Sequence, residues 1–329
     1  MAIPRVLKTR ERKLLWVRVP PSPQVVLLGS FHISCIRGLL MSARLIDGKA
    51  MASFLHQQIK VDVQHCYEDT GIRVKLAVVL VGEDPASHLY VRNKERACQE
   101  VGIQSEVHRL SHPTTQGVLD VIQRLNDDAT VTGILVQLPL LPGISEEQVV
   151  EAIDPLKDVD GLHPDNLGRL AMGKPRFVPC TPLAVQQILI AEHIPTCEKR
   201  VVIVGRSNLV GTPLSILLSR KGVGADATVT LCHSRTKDLP DITRTADVLV
   251  AAIGKANYVT SDMVAPGAVV VDVGINRTQD GSRFVGDIDF ASVSQVASVL
   301  TPVPGGVGPL TVTMLLQNAL AAARLVGKT

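Results

Sequence analysis

Long apolar runs, paired cysteines and a charge excess of either sign are all missing from this chain, and each absence removes a class of protein. No stretch approaches the roughly 18 uninterrupted apolar residues of a membrane-spanning helix, so no membrane partner is expected. The six cysteines (Cys35, Cys66, Cys98, Cys180, Cys197, Cys232) include no Cys-x-x-Cys pair. In a chain of 329 residues that spacing supports neither a zinc site nor a disulfide framework. A reducing compartment is the default, with most thiols acting as small buried hydrophobes. The net charge is only +3, from 34 basic and 31 acidic residues. Residues 1–40 hold seven of the basic ones against the single acid Glu11, which leaves the remainder net negative and without electrostatic pull toward nucleic acid. With 46% hydrophobic and 20% charged residues, the chain is neither disordered, collagenous nor a coiled coil, and its length suits two globular domains.

The first forty residues differ from the rest. They are Arg-rich, acid-poor, broken by Pro4, Pro20, Pro21 and Pro23, and contain the only tryptophan, Trp16. Their apolar segments are too short and interrupted for a secretory signal. A mitochondrial transit peptide fits the composition, although the prolines interrupt the amphipathic helix such peptides form. An extension upstream of a true start at Met41 is the other open reading. Residues 1–40 are therefore left out of the expected fold.

From residue 47 to 60 the apolar residues Met51, Phe54, Leu55 and Ile59 recur at helical spacing. The Val-rich run 75–81, closed by Gly82, predicts a buried strand. A helix over 87–101, a polar strand near 104–110, a helix near 116–126 and a strand over 133–138 follow. Around 175–182 the prolines cluster, and Thr181-Pro182 predicts a helix start with Thr181 as N-cap. The domain boundary is placed there. A second α/β run follows: strands over 200–204, 228–231, 248–252 and 268–273 and near 299, helices over 213–220 and near 238–246, and an Ala-rich final helix over 311–325. Alternation at this spacing predicts parallel sheets with helices on both faces. The expected fold class is α/β in two domains, 41–180 and 181–310.

Residues 199–211 read as strand, glycine turn and helix, with Gly205 for the turn and Gly211 for close approach, which fits a dinucleotide pyrophosphate at a helix start. Ser207 stands where a Gly-x-Gly-x-x-Gly loop has its second glycine, so a glycine-punctuated loop without a ligand remains an alternative. The next strand ends in His233-Ser234-Arg235-Thr236, without the acid that binds an NAD ribose. Together with Arg206, these groups suit a 2′-phosphate, hence NADP; the alternative is that Arg235 is a solvated surface cation.

Three strings in the first domain are hard to assign to packing. In Pro85-Ala-Ser87-His-Leu-Tyr90-Val-Arg-Asn-Lys94, Tyr90 and Lys94 share a helix face. Gln137 interrupts a buried strand at its carboxyl end, and Lys157-Asp-Val-Asp160-Gly161 is an acid-dense turn. With Pro-Cys-Thr-Pro at 179–182, Gly-Arg-Ser-x-x-Val-Gly at 205–211, Asp-Val-Gly-Ile-Asn at 272–276 and Thr-Pro-Val-Pro-Gly-Gly-Val-Gly-Pro at 301–309, the chain from about Leu45 to Leu325 resembles the bifunctional methylenetetrahydrofolate dehydrogenase/cyclohydrolase family. Two departures are Leu141, inserted after Leu140, and Ala184, where the family often has glycine.

The resemblance implies an N-terminal folate-binding catalytic domain and a Rossmann-type NADP domain, with the last helix packing back on the first domain. It implies oxidation of 5,10-methylenetetrahydrofolate with NADP, then hydrolysis of the methenyl product to 10-formyltetrahydrofolate. Lys94 matches the catalytic lysine, Tyr90 the tyrosine stacked on the folate, Gln137 the partner of the lysine and Asp160 the carboxylate that holds the pterin. Ser87 matches a serine beside them, and Pro304, Gly305, Gly306, Val307 and Gly308 match the loop over the folate. Gly205, Arg206, Ser207, Ser234 and Ile275 match cofactor contacts. No metal is implied. A homodimer and a bacterial-type cytoplasmic location are, with a mitochondrial alternative if residues 1–40 act as a transit peptide. Rival readings are another nicotinamide-dependent dehydrogenase, a member lacking the cyclohydrolase step, and a non-catalytic NADP sensor.

Overall fold

The Val-rich run folds as expected, whereas the helix before it runs longer and the helix after it begins two residues earlier. The computed structural model describes residues 42–278, 281 and 283–327; the readings of residues 1–40 lie outside these. After β1 (Arg44–Leu45), α1 (Gly48–Thr70) is capped by Asp47, whose carboxylate accepts from the Ala50 N–H at 2.9 Å, and is closed by left-handed Gly71. It runs past residue 60 because Val63 and Cys66 prolong the buried stripe of Leu55 and Ile59. Next come β2 (Lys75–Val81), α2 (Pro85–Val101), β3 (Gln104–Leu110), α3 (Thr115–Asp127) and β4 (Gly133–Val136). They form a three-stranded parallel sheet in the order β3-β2-β4.

Two short helices, α4 (Glu146–Glu151) and α5 (Pro164–Ala171), fill a stretch for which the sequence predicts none. The expected cap at Thr181 is corrected. Helix α6 (Cys180–Ala191) starts two residues earlier with Pro179 in the cap position, and no side chain caps it. The fixed φ of Pro179 and its lack of an N–H place it before the helix, and Thr181 instead reaches Thr311 across 3.5 Å.

The second sheet takes β5 (Arg200–Val204), α7 (Gly211–Ser219), β6 (Thr228–Cys232), α8 (Leu239–Thr243), β7 (Val248–Ala251) and β8 (Val269–Asp272). An antiparallel pair, β9 (Asn276–Arg277) and β10 (Phe284–Val285), precedes α9 (Phe290–Val293), β11 (Val299–Leu300) and α10 (Val307–Val326). Six parallel strands lie in the order β1-β11-β8-β7-β5-β6. The order reverses beside β5, and such a switch point opens a crevice outside the carboxyl ends of the strands.

The two halves exchange elements. Strand β1 precedes the first sheet in sequence but pairs with β11 of the second, Arg44 opposite Val299. Helix α10 leaves the second sheet and packs against α1 and α6. It is long and apolar enough to cross a membrane by composition alone, but its apolar residues supply the shared core. Leu55 of α1, Leu76 of β2, Ile188 of α6, Ile203 of β5 and Met314 and Leu316 of α10 lie in one buried cluster. Burial of this kind stabilises by about 25 cal/mol per Å² of apolar surface and joins the two sheets around the cleft between them.

Candidate active site

Helix α2 carries the first group of side chains. Asp84 caps it, accepting from the Ser87 N–H and the Ser87 hydroxyl, each at 2.9 Å. Ser87 is thus buried and already engaged at the head of the helix. One turn on stands Tyr90, and a further turn on Lys94, whose Nζ donates to Gln137 Oε1 at 2.8 Å. Gln137 follows β4 and is nine-tenths buried; its Nε2 donates to the Leu138 carbonyl at 2.7 Å. That second bond orients the amide so that its oxygen faces the lysine. Burial pulls the Lys94 ammonium below the usual lysine range, opposed by the Asp160 charge and, more weakly, by the thiols of Cys180 and Cys98. The apolar setting also pushes Cys98 up to about 12, which keeps it a neutral thiol.

The acid-dense turn separates into scaffold and site. Lys157 donates to the carbonyls of Leu125, Asn126 and Asp128 and so closes the end of α3. Asp158, fully buried, accepts from the Gly161 and His163 N–H groups and from Asn166. Gly161 has φ +75°, and a Cβ there would stand 2.8 Å from the Pro179 nitrogen. Of the two carboxylates in the turn, Asp160 stays partly exposed, and its charge acts on both Lys94 and Cys180. Asn318 of α10 ties this turn down, donating to the Val159 and Val178 carbonyls at 2.8 and 3.0 Å.

A cleft of about 870 Å³ lies beside this group. Tyr90, Ile275 and the whole loop Pro304, Gly305, Gly306, Val307 and Gly308 line it. Lys94, Gln137, Asp160 and Ser87 are not on its walls. The expected site residues therefore divide into a buried Lys94–Gln137 group and a cleft, joined by Tyr90 on the same helix face as Lys94.

Gly205, Arg206, Ser207 and Ser234 lie elsewhere, at the carboxyl edge of β5 and β6. The backbone there leaves no room for side chains: a Cβ on Gly205 (φ +122°) would lie 2.0 Å from the Ala252 oxygen, and one on Gly211 1.8 Å from the Gly205 oxygen. Ser207 Oγ accepts from the Val210 N–H at 3.2 Å. The turn after β6 is held by its own bonds, His233 N–H to Thr236 Oγ1 at 2.9 Å and Arg235 N–H to His233 Nδ1 at 3.1 Å, so Ser234 and Arg235 project outward. Among the described residues neither Arg206 nor Arg235 pairs with a carboxylate. Backbone crowding at the turn and two unanswered cations fit a phosphorylated dinucleotide.

Two further buried carboxylates support the wall between these regions, and the sequence reading assigned no role to either. Asp287 accepts from the N–H groups of Ile253, Gly254 and Lys255 and from Asn276 Nδ2. Asp272 accepts from the Gly274, Asp287 and Ile288 N–H groups, and burial pushes it up to about 7. The signal for Asp272 was present in Asp-Val-Gly-Ile-Asn, where Gly274 is required because a Cβ would overlap Asp287.

Residues 46–160 match the catalytic domain of tetrahydrofolate dehydrogenase/cyclohydrolase, and residues 179–326 match its NAD(P)-binding domain. The chain belongs to the tetrahydrofolate dehydrogenase/cyclohydrolase family. It is 53% identical over 279 residues to the bifunctional protein FolD of Oleidesulfovibrio alaskensis, covering 84% of this chain and 97% of that one. The structure is similar to the bifunctional FolD methylenetetrahydrofolate dehydrogenase/cyclohydrolase of Campylobacter jejuni, with a TM-score of 0.81, 46% identity and coverage of 86% and 99%. It is also similar to the Trypanosoma brucei FolD complexed with NADP and an inhibitor, with a TM-score of 0.82, 36% identity and coverage of 86% and 98%. Against this family's pattern the inserted Leu141 finds a packing role, since its side chain fills the space that a Cβ on Gly82 would enter, 2.9 Å away.

Proposed function

We propose that this protein oxidises 5,10-methylenetetrahydrofolate to the 5,10-methenyl cation with NADP and hydrolyses the cation to 10-formyltetrahydrofolate. The observation that carries this is the Lys94–Gln137 bond, 2.8 Å long, with the Asp160 charge acting on the amine and Tyr90 one turn away on the cleft wall. Family membership supports the reaction class, and Arg206 and Arg235, without a carboxylate partner among the described residues, support NADP over NAD. When bound, NADP supplies the hydride acceptor; no other group is needed to remove hydride, because the flanking nitrogens stabilise the product cation.

The chain's own residues serve chiefly the water step. Water adds to the methenyl carbon and loses a first proton; the hydroxyl so formed gives up its second proton as the formyl carbonyl forms and the bond from that carbon to N5 breaks, and N5 takes up one proton, so that one of the two is released overall. An amine below its usual range is available in neutral form to accept the first proton. Gln137 holds one N–H of that amine and leaves the lone pair free. Asp160 holds the pterin, Tyr90 lies against the folate rings, and the loop from Pro304 to Gly308 closes over them, with Gly305 at φ +110° in backbone that side-chain-bearing residues avoid. Ser87 contributes through the helix start that places Tyr90 and Lys94. Gly205, Arg206, Ser207, Ser234 and Ile275 hold the cofactor. A homodimer in the cytoplasm, with no nucleic-acid or membrane partner, completes the reading; its support is the family membership and the absence of a positive body.

The test is absorbance of the purified protein with 5,10-methylenetetrahydrofolate, run with NADP and with NAD, followed by decay of added methenyltetrahydrofolate. Reduction with NADP and rapid decay are expected. Reduction with NAD alone overturns the cofactor reading, and no reduction with either overturns the enzyme reading.

A further inference from the structure

Asp287 is fully buried, and nothing in the proposed chemistry uses it. It accepts from three successive backbone N–H groups, those of Ile253, Gly254 and Lys255, and from Asn276 Nδ2 at 2.8 Å. Among the described residues it forms no ion pair. A carboxylate out of water is costly unless hydrogen bonds replace its hydration, and here four N–H donors do so. A side chain with a single acceptor oxygen has no room for all four.

The two segments that Asp287 joins belong to regions that the proposed reaction must bring together. Residues 253–255 follow β7 and border the turn at Gly205, where a Cβ would stand 2.0 Å from the Ala252 oxygen. Asn276 directly follows Ile275, a half-exposed apolar residue on the cleft wall. Asp287 is seated in turn by Asp272, which accepts from the Gly274, Asp287 and Ile288 N–H groups. The packing here is tight: a Cβ on Gly274 would lie 2.2 Å from Asp287 Oδ1, and one on Gly286 1.7 Å from Asp272 Oδ2. The Asp272 N–H donates to Thr301 Oγ1 at 2.7 Å, and Thr301 leads into the loop 302–308 on the cleft wall. Buried polar networks whose members are all satisfied are rigid. One such network therefore spans the edge of the cofactor turn, the Ile275 wall and the start of the folate loop.

Hydride transfer depends on such a frame more than hydrolysis does. The methylene carbon loses a hydrogen with its bonding pair, which NADP accepts, so two large rings must meet face to face. Reacting atoms have to come within about 3–3.5 Å, and a misplacement of about 1 Å costs on the order of 100-fold. The water step needs no second ring, and Lys94, Gln137 and Asp160 lie on α2, after β4 and in the turn at 157–161, outside this network.

We infer that Asp287 is a positioning residue for the hydride step: by tying the loop after β7 to Asn276 it sets how the nicotinamide ring approaches the folate carbon. The inference rests on the folate and NADP reading above. It makes Asp287 the converse of Lys94, serving the oxidation and sparing the hydrolysis.

The test measures hydride transfer in a single turnover at saturating NADP in the unaltered protein, Asp287→Asn and Asn276→Ala. Asp287→Asn keeps the shape but leaves one acceptor oxygen for four donors, and the rate should fall about 100-fold. Asn276→Ala cuts only the tie to the Ile275 segment, and a fall of about tenfold is expected. In both variants deuterium at the transferring carbon still slows the step. Hydrolysis of added methenyltetrahydrofolate without NADP stays within about twofold, since the network is remote from Lys94. In the cofactor-free protein, amide hydrogen exchange at residues 253–255 and 274–276 speeds up. A merely structural staple lowers both activities together. Such a joint fall, an unchanged hydride rate, a slowed step without an isotope effect, or unchanged exchange overturns the inference and leaves the folate reading standing; if Asp287→Asn does not fold, Asn276→Ala decides. Absence of turnover in the unaltered protein removes the folate reading and the inference with it.

Discussion

At the Lys94 end of the molecule the site is made of side chains, whereas at the carboxyl edge of β5 and β7 it is made of backbone. Lys94, Gln137 and Asp160 come from a helix, a strand end and a turn, and each offers a functional group held by other side chains or a helix cap. Around Gly205 and Gly211 the proposed recognising groups are amides, approachable because two Cβ atoms are missing, and the neighbouring loop after β7 is held by Asp287. The first construction tunes reactivity through burial, because a charged group out of water changes its proton affinity. The second gives position without reactivity. A protein that must move protons at one point and only hold a dinucleotide at another has use for both.

The sharpest way to break this contrast is Lys94→Met. It keeps the stem of the side chain and removes the amine, so hydrolysis of methenyltetrahydrofolate should fall by about 10²–10⁴, the usual span for a positioned acid–base group. NADP binding should change little, because the backbone edge is untouched; initial rates and equilibrium titration measure the two. The unaltered protein adds a sign. Burial lowers Lys94, so its neutral form appears below the ordinary lysine range, and hydrolysis should rise with pH to a plateau reached before 10.5. Full hydrolysis by the variant, or a rate that falls across that range, would show that Lys94 is not the base.

Gly211→Ala probes the backbone half. Its Cβ would stand 1.8 Å from the Gly205 oxygen, and neither backbone segment can yield as a flexible side chain would. NADP affinity should drop on the order of 100-fold, about 2.7 kcal/mol, while folate binding at the Tyr90 end persists. Calorimetry with each ligand separates the two, and loss of both would mean that the halves are not independent.

Much of this division was legible in the sequence, for physical reasons that differ by residue. The β2 run and the Gly205 turn announce themselves because a buried parallel strand and a left-handed turn tolerate few residue types. Lys94 and Gln137 lie 43 positions apart, and only the resemblance joined them. What stayed hidden depended on distant contacts. The two residues of β1 are too short to show a period, and they pair with a strand more than 250 positions away. Nothing local distinguishes Asp158 from Asp160, and it takes the buried Asn166 to make one a scaffold. The Thr181 cap failed because the restrained backbone of Pro179 had already started the helix.

A smaller effect tests the support beneath the backbone half. Asp272 is raised to about 7 from 3.8, so between those values the folded state holds a proton that the unfolded state has lost. Stability should therefore fall as pH rises from about 4 to 7, by at most about 1.4 kcal/mol per pH unit from this group. The carboxylates Glu83, Asp84 and Asp128 are lowered below their ordinary values and finish titrating at the acid edge of that window. Urea denaturation at pH 5 and pH 7 should show the decline, and Asp272→Asn should flatten it even though the variant, losing one acceptor, is less stable throughout. An unchanged slope would mean that Asp272 is ionised in the fold.

The smallest expected change concerns Arg235, exposed at the turn after β6. Replacing it with glutamine keeps a hydrogen-bonding side chain and removes one charge from the place where a 2′-phosphate would sit. An exposed ion pair is worth about 0.2–1 kcal/mol, so KM for NADP should rise by roughly twofold to fivefold. KM for NAD, which lacks the phosphate, should stay where it was. Because Arg206 has no carboxylate partner either among the described residues, the double variant Arg206→Gln/Arg235→Gln should widen the gap further, and high salt should narrow the NADP advantage of the unaltered protein. Equal shifts for the two cofactors would return Arg235 to the role of a solvated cation, and the backbone edge would then hold the dinucleotide without reading its phosphate.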